Sequence, residues 1–506
     1  MEKTFQIYYT SDTHGHIFPV NYASNCPENS GLLNLAAQVE KDGNTLVLDG
    51  GDSLQGTPLT QYYLEHCKKW PIHPVAAAFN AMGLDYFTLG NHDFNFGYEA
   101  LRDYLQAMDG VCLCTNVEDL GGELRIRPWA VHTLANGLRV GITGVVTDFV
   151  NVWEQPQNLE RIRVTDAFQA ARATCAALRE QCDVCVCIYH GGFEEELETG
   201  RVLSDSGENL ACKIARELDF DLLLTGHQHM AVEGVNLSST YAVQPPANAG
   251  QFLHISGKWE GTRSSFRSRL TAVGAIHPAE PYQSLLPLEN AVQDWLDQPI
   301  GELDRTIPPE GKLEAALYGS QVAALFNQVQ LTETGADFSC TSLGNDPVGL
   351  ASPVTMRGVT AAYLFANTLV VLEVTEEVLR QTLERCAAYF TLVDGQPQIS
   401  EEFLLPKVEH YNYDFYAGLS YTFDLRRPVG SRVIHLTKLD GSPLGSGKFR
   451  LCTSNYRATG TGGYEILRKC PVLWRGGTEM PDLTARYIQA HSPMPQLHNV
   501  EMRVIW

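Results

Sequence analysis

Five apolar, strand-like runs each stop at a short cluster of Asp, Asn, His and Gly, and this ordered set constrains the chain more than any other feature. Phe5–Thr10 leads into Asp12-Thr13-His14-Gly15-His16, Thr45–Leu48 into Asp49-Gly50-Gly51-Asp52, and Tyr86–Leu89 into Gly90-Asn91-His92-Asp93. Val184–Tyr189 ends at His190-Gly191-Gly192, and Leu222–Thr225 at Gly226-His227-Gln228-His229. In open α/β sheets ligands bind beyond the carboxyl ends of strands, so these endings are expected on one rim. Glycines beside the polar side chains let backbone and ligand approach closely. A single cluster of this kind reads as a solvated turn or a hydrogen-bonded structural histidine, whereas five in series point to a site.

Three more β-rich runs, Val111–Cys114, Val140–Val146 and Phe252–Ile255, share the first half with amphipathic stretches at Leu32–Lys41, Pro74–Met82, Leu101–Met108 and Thr165–Gln181. Strands alternating with helices predict a layered α/β domain. At 506 residues the chain exceeds what one core serves, so two domains are expected. Residues 1–275 form the first. Residues 276–300 carry His277-Pro278, Glu280-Pro281 and Leu286-Pro287 before a helical stretch from Glu289 to Leu296, and read as linker and hinge. Residues 301–506 form a second α/β domain.

The net charge of −22, from 59 acidic against 37 basic residues, repels polyphosphate backbones and argues against long nucleic acids as partners. A small phosphate ester would need its charge met locally, by cations that carboxylates recruit. No apolar run is long enough to cross a bilayer, so no membrane partner is expected. The N-terminus passes into a strand without a basic and apolar leader, and 13 cysteines, several on apolar faces, suit reduced thiols. A cytoplasmic location is the expectation. Cys182 and Cys185 have CxxC spacing but enter the apolar run Val184–Tyr189, and read as buried structural thiols.

The order DxH, GDxx, GNH[E/D], H and GHxH resembles the calcineurin-like metallophosphoesterases, and the match is highly specific. The resemblance implies a four-layer β-sandwich flanked by helices, carrying two divalent metal ions. By it, Asp12, His14 and His229 hold one ion, Asn91, His190 and His227 hold the other, and Asp52 bridges both. Mixed nitrogen and oxygen donors suit Mn, Zn, Fe or Co. Bridged ions about 3.5–4 Å apart can hold a hydroxide that attacks phosphorus in line. The resemblance also gives His92 contact with phosphate and assistance to the leaving group, and His16 is either a lining or a packing residue.

Beyond residue 300 the chain resembles the C-terminal substrate domain of bacterial 5′-nucleotidases and 2′,3′-cyclic-nucleotide 2′-phosphodiesterase/3′-nucleotidases. The segments that carry this are Ser339–Asn345, Thr355–Val359, His410–Asp414 and Ser454–Gly460. In that family two aromatic rings sandwich the base; Tyr456 matches one, and the other is Tyr413 or Tyr416. Asn345 and Arg357 of the matching segments complete the expected substrate-binding set. In the 5′-nucleotidases the run around the catalytic histidine ends in Asp, which forms a dyad with it, whereas here it reads Gly90-Asn91-His92-Asp93-Phe94-Asn95. An amide cannot set a charge beside the ring as a carboxylate does. The expected activity is therefore hydrolysis of 2′,3′-cyclic and 3′-nucleotides, with His92 and Asn95 as the catalytic pair. A 5′-nucleotidase or nucleotide-sugar hydrolase is the alternative, and a nucleotide-binding protein without activity is disfavoured by the intact ligand set.

Overall fold

The strand Val184–His190 shows how the first half of the chain is layered in the computed structural model. Val184, Val186 and Ile188 face Ile7, Leu46, Leu48 and Leu253 in an apolar core between two sheets. Cys185, Cys187 and Tyr189 point the other way, against Ala171, Cys175 and Leu178 of the helix Ala167–Arg179. The period of two in strand side chains is what serves two layers from one run. Each fully buried Val or Ile contributes about 1.5–3 kcal/mol, so a polar replacement here would disorder the rim above it.

The structure describes all residues except 1, 204–206, 275–277, 366, 406–407, 496 and 498–501. Two compact units result, Met1–Gln293 and Asp294–Trp506. The sandwich of the first unit uses β1 (Lys3–Thr10), β2 (Thr45–Asp49), β3 (Tyr86–Phe87), β4 (Val111–Leu113), β5 (Ile126–Arg127), β6 (Trp129–Thr133), β7 (Arg139–Val146), β8 (Val184–His190), β9 (Leu222–Thr225), β10 (Val232–Leu237), β11 (Thr240–Gln244), β12 (Gln251–Trp259) and β13 (Ser264–Ala272). One sheet has the order β13-β12-β1-β2-β3-β4-β5 and the other β10-β11-β9-β8-β7-β6. The strands β1 to β4 run parallel, as do β7, β8, β9 and β11.

Register aligns the strand ends. Thr10 pairs with Asp49 and Asp49 with Phe87 in the first sheet, while His190 pairs with Val146 and Tyr189 with Thr225 in the second. The five polar clusters therefore start at matching levels. Helices close the outer faces. Pro74–Met82 begins with Pro at its first turn, where its missing N–H loses nothing, and stops at Gly83 in the left-handed conformation. Tyr104 of Gly97–Ala107 packs on Phe87, with ring centroids 5.9 Å apart. The result is the four-layer sandwich with helical flanks.

The first residues of the expected linker, His277 included, lie outside the described residues. The remainder of that segment is mostly a 15-residue helix, Tyr282–Leu296, with Pro287 inside it. Tyr22 donates a 2.6 Å hydrogen bond to Glu289, which ties this helix to the first unit. Prolines in sequence read as punctuation, but packing of Leu285, Leu288, Val292 and Leu296 outweighs the one ladder bond that Pro287 removes.

The second unit is also α/β. Its five-stranded sheet runs in the order Asp414–Ala417, Phe338–Ser342, Phe449–Ser454, Thr368–Val374, Val472–Glu479. Gln321–Thr334 and Glu376–Ala387 are its long helices, together with Met480–His491. Among the described residues no helix is long and apolar enough to cross a membrane.

Candidate metal centre

The backbone already marks the rim as special. Asp12, His14, Asp52, His227 and His229 all have positive φ, between 48° and 72°. Non-glycine residues enter this region at a cost, and such strain collects at functional sites. The loops also touch: a Cβ on Gly90 would run into the backbone nitrogen and carboxylate of Asp52, so only glycine fits there. Asp93 knits these loops by accepting the backbone N–H groups of Gly90, Asp52, Ser53 and Leu54 at 2.8–3.0 Å.

All seven side chains expected as ligands meet. His229 Nε2 is 3.4 Å from Asp12 Oδ1 and 3.1 Å from His14 Nε2. His190 Nε2 is 3.2 Å from both Asp52 Oδ2 and Asn91 Oδ1, and His227 Nδ1 is 2.9 Å from the same Asn91 oxygen. Among the described residues two sets have ligand atoms close enough for a common ion, Asp12 with His14 and His229, and Asp12 with Asp52 and His190. The two sets share Asp12, while Asp52 Oδ1 also accepts the His92 N–H at 2.7 Å.

The chemistry of this donor set fits metal ions. His14 Nδ1 donates to the Gln55 carbonyl at 2.9 Å and His190 Nδ1 to that of Gly50 at 2.7 Å. His227 Nε2 donates to Glu208 at 2.9 Å. In the neutral ring each bond puts the hydrogen on that nitrogen and leaves the other nitrogen as the donor to a metal, and these nitrogens face carboxylate oxygen, amide oxygen or the His229 ring. Acceptors converging in a buried space repel unless a cation lies among them. Burial opposes a charge on His190, yet Asp52 and Asp12 overcome it and raise its pKa to about 10, a proton standing where a cation would. Burial, with His229 and His92 nearby, pushes His14 down to about 3. Asp12 and Asp52 are both held low, burial being outweighed by the imidazoles around them.

Beside this cluster lies His92, its ring 5.6 Å from that of His14. Its Nδ1 is 2.8 Å from Asn95 Oδ1. His16 is half-buried, with Nδ1 bonded to the Thr13 carbonyl at 3.1 Å. Glu154, Glu208 and Trp153 border the cluster without having been singled out in the sequence, since no local motif distinguishes them. Cys182 and Cys185 are buried free thiols, and no cysteine belongs to either close ligand set among the described residues.

In the second unit Tyr456 is partly exposed, whereas Tyr413 and Tyr416 are fully buried. Tyr413 is sealed in the core against Tyr389, Phe390 and Phe415 and donates to the Ala316 carbonyl at 3.0 Å. Tyr416 is equally buried, in a strand covered on both faces, so neither ring offers a face to a base. Tyr411, next to this segment, is half-buried and lies near Tyr456. Burial and then the neighbouring Tyr456 push its phenol pKa up, and Phe365 packs on it with centroids 6.0 Å apart. The buried Arg457 holds the Tyr411 carbonyl at 2.9 Å and pairs with Asp414 at 2.9 Å. Asn345 and Arg357 are occupied structurally: Asn345 braces the backbone of Val408 and His410, and Arg357 pairs with Asp297 at 2.7 Å.

Comparison with known proteins agrees with this architecture. Residues 5–231 match the calcineurin-like phosphoesterase family, and residues 300–469 the 5′-nucleotidase C-terminal domain. A Staphylococcus aureus protein described as a candidate 5′-nucleotidase, crystallised with α-ketoglutarate, superposes with a TM-score of 0.90 at 30% identity, covering 99% of this chain and all of that one. A Haemophilus influenzae 2′,3′-cyclic-nucleotide 2′-phosphodiesterase/3′-nucleotidase is 25% identical over 96% of this chain and 84% of its own length. A trifunctional nucleotide phosphoesterase of Bacillus subtilis is 24% identical over 95% of this chain, which spans only 37% of that relative. The chain belongs to the calcineurin-like metallophosphoesterases that carry a 5′-nucleotidase C-terminal domain, a family of phosphoric ester hydrolases.

Proposed function

We propose that this chain hydrolyses nucleoside phosphate esters, taking 2′,3′-cyclic and 3′-nucleotides ahead of 5′-nucleotides. Asp12, His14, Asp52, Asn91, His190, His227 and His229 would hold two divalent metal ions, and the convergence of their lone pairs supports that reading. When bound, such ions supply positive charge at the phosphate and acidify water toward a pKa of about 7. The chain's own residues do the rest. Three imidazoles are locked in ligand tautomers by Gln55, Gly50 and Glu208. His92 faces the leaving side: as water oxygen bonds phosphorus, the ribose oxygen departs with a proton from His92 Nε2, and the proton released by water restores the ring. Tyr456 and Tyr411 are the rings proposed to stack the base, a contact worth about 1–3 kcal/mol per base.

The observation that carries the preference is the amide on His92, Asn95 Oδ1 at 2.8 Å from Nδ1, where a 5′-nucleotidase would have a carboxylate. A strained cyclic diester with one negative charge asks less of the leaving-group acid. The Haemophilus relative's name supports the same branch, while the Staphylococcus relative favours the second reading, a 5′-nucleotidase. The protein loaded with Mn²⁺ should be assayed on 2′,3′-cyclic AMP, 3′-AMP, 5′-AMP and UDP-glucose. The highest kcat/KM is expected on the first two, and a preference for 5′-AMP or UDP-glucose would replace the first reading with the second.

A further inference from the structure

The carboxylate missing from position 95 is supplied one link further out, by Glu154. Asn95 Nδ2 donates to Glu154 Oε2 at 2.7 Å, while Asn95 Oδ1 faces His92 Nδ1 at 2.8 Å. A carboxylate in this geometry only accepts, so the Asn95 amide has one orientation: NH₂ toward Glu154, oxygen toward His92. That oxygen in turn requires the hydrogen on His92 Nδ1 and leaves Nε2 as the available ring nitrogen.

Glu154 is itself held. Its other oxygen, Oε1, accepts the Gln155 N–H at 2.6 Å and Asn158 Nδ2 at 2.9 Å. The same Asn158 amide donates to the Asn95 carbonyl at 2.9 Å, which closes a ring of bonds around Asn95. Glu154 comes directly after the short helix Val150–Trp153, which leaves the end of β7, and Trp153 stacks on His227 with centroids 5.4 Å apart. One segment from the second sheet therefore braces both a candidate ligand and the His92 loop of the first.

We propose that Glu154 is a positioning residue for His92, acting through Asn95 to set the orientation and tautomer of the imidazole. The inference rests on the leaving-group role of His92 given above, and is independent of which nucleotide is preferred. Glu154→Ala frees the amide to rotate. Asn95→Asp alone sets two carboxylates against each other, whereas Asn95→Asp with Glu154→Gln exchanges acid and amide and restores a consistent set of donors and acceptors.

The test compares kcat/KM on the best nucleotide with that on bis-p-nitrophenyl phosphate, whose leaving group needs no proton. Loss of an outer hydrogen-bond partner typically costs 10–100-fold. Glu154→Ala should therefore lower nucleotide hydrolysis by about tenfold or more through kcat, and the p-nitrophenyl ester less than about threefold. Should the alanine variant fold poorly, Glu154→Gln should give the same asymmetry. The exchanged double variant should recover to within about fivefold of the wild type, above either single change. Equal losses on both substrates, no loss on either, or a double variant worse than both singles would overturn the assignment. A wild-type preference for 5′-nucleotides would count against the substrate reading alone.

Discussion

Trp153 stacks on the imidazole of His227, with ring centroids 5.4 Å apart and planes 23° from parallel. Together with the 2.9 Å bond from His227 Nε2 to Glu208, the stack leaves that ring no freedom to turn its Nδ1 away from Asn91. Trp153→Ala is expected to weaken metal affinity by about tenfold, the scale on which losing a support of a metal-holding imidazole acts. Metal titration with calorimetric detection checks this, and Trp153→Phe should recover most of the affinity because it keeps a ring face.

The proposed base recognition sets Tyr411 and Tyr456 apart from Tyr413. Removing either of the first two rings should raise KM for nucleotides by roughly 5–150-fold, the equivalent of about 1–3 kcal/mol of stacking, with metal content unchanged. Tyr413→Ala opens a cavity in the second unit's core instead and should cost about 3–5 kcal/mol of stability. Steady-state kinetics and denaturant melts of the three variants distinguish the two behaviours.

His73 gives a pH dependence away from the candidate ligands. Burial lowers its pKa from 6.5 to about 4, and its Nδ1 accepts the Ala76 N–H that caps the helix Pro74–Met82. The folded state thus resists a proton that the unfolded chain accepts, so stability is full above about pH 6.5 and falls as pH drops toward about 4. At about 1.4 kcal/mol per unit of pH the loss reaches about 3 kcal/mol. His73→Asn keeps a capping acceptor and should flatten this slope relative to wild type in melts between pH 4 and pH 7.

Much of the first unit is legible in sequence because its strands are buried on both faces and read as continuous apolar runs. Val184–Tyr189 and Leu222–Thr225 match strands to within a residue. Ser264–Ala272 escapes notice because it lies at the sheet's edge with mostly half-exposed side chains, held by its ladder to Gln251–Trp259 rather than by an apolar pattern. The ligand cluster is readable because each member sits at a strand end with its own glycine. Glu154 is not, since it is brought to Asn95 across 59 residues only by folding. Tyr413 misleads for a related reason: the motif locates the loop, but burial decides which of its rings stays partly exposed.

Paired ions are central to the proposed chemistry, and Asp52, wholly buried 3.2 Å from His190, is the side chain proposed to bridge them. The decisive measurement is metal stoichiometry by elemental analysis, read alongside turnover, in wild type and Asp52→Asn. Two divalent ions per chain are predicted for wild type, with at most one and a loss of activity on the order of a thousandfold or more in the variant. An Asp52→Asn protein that retains two ions and near-normal turnover would contradict catalysis by a metal pair.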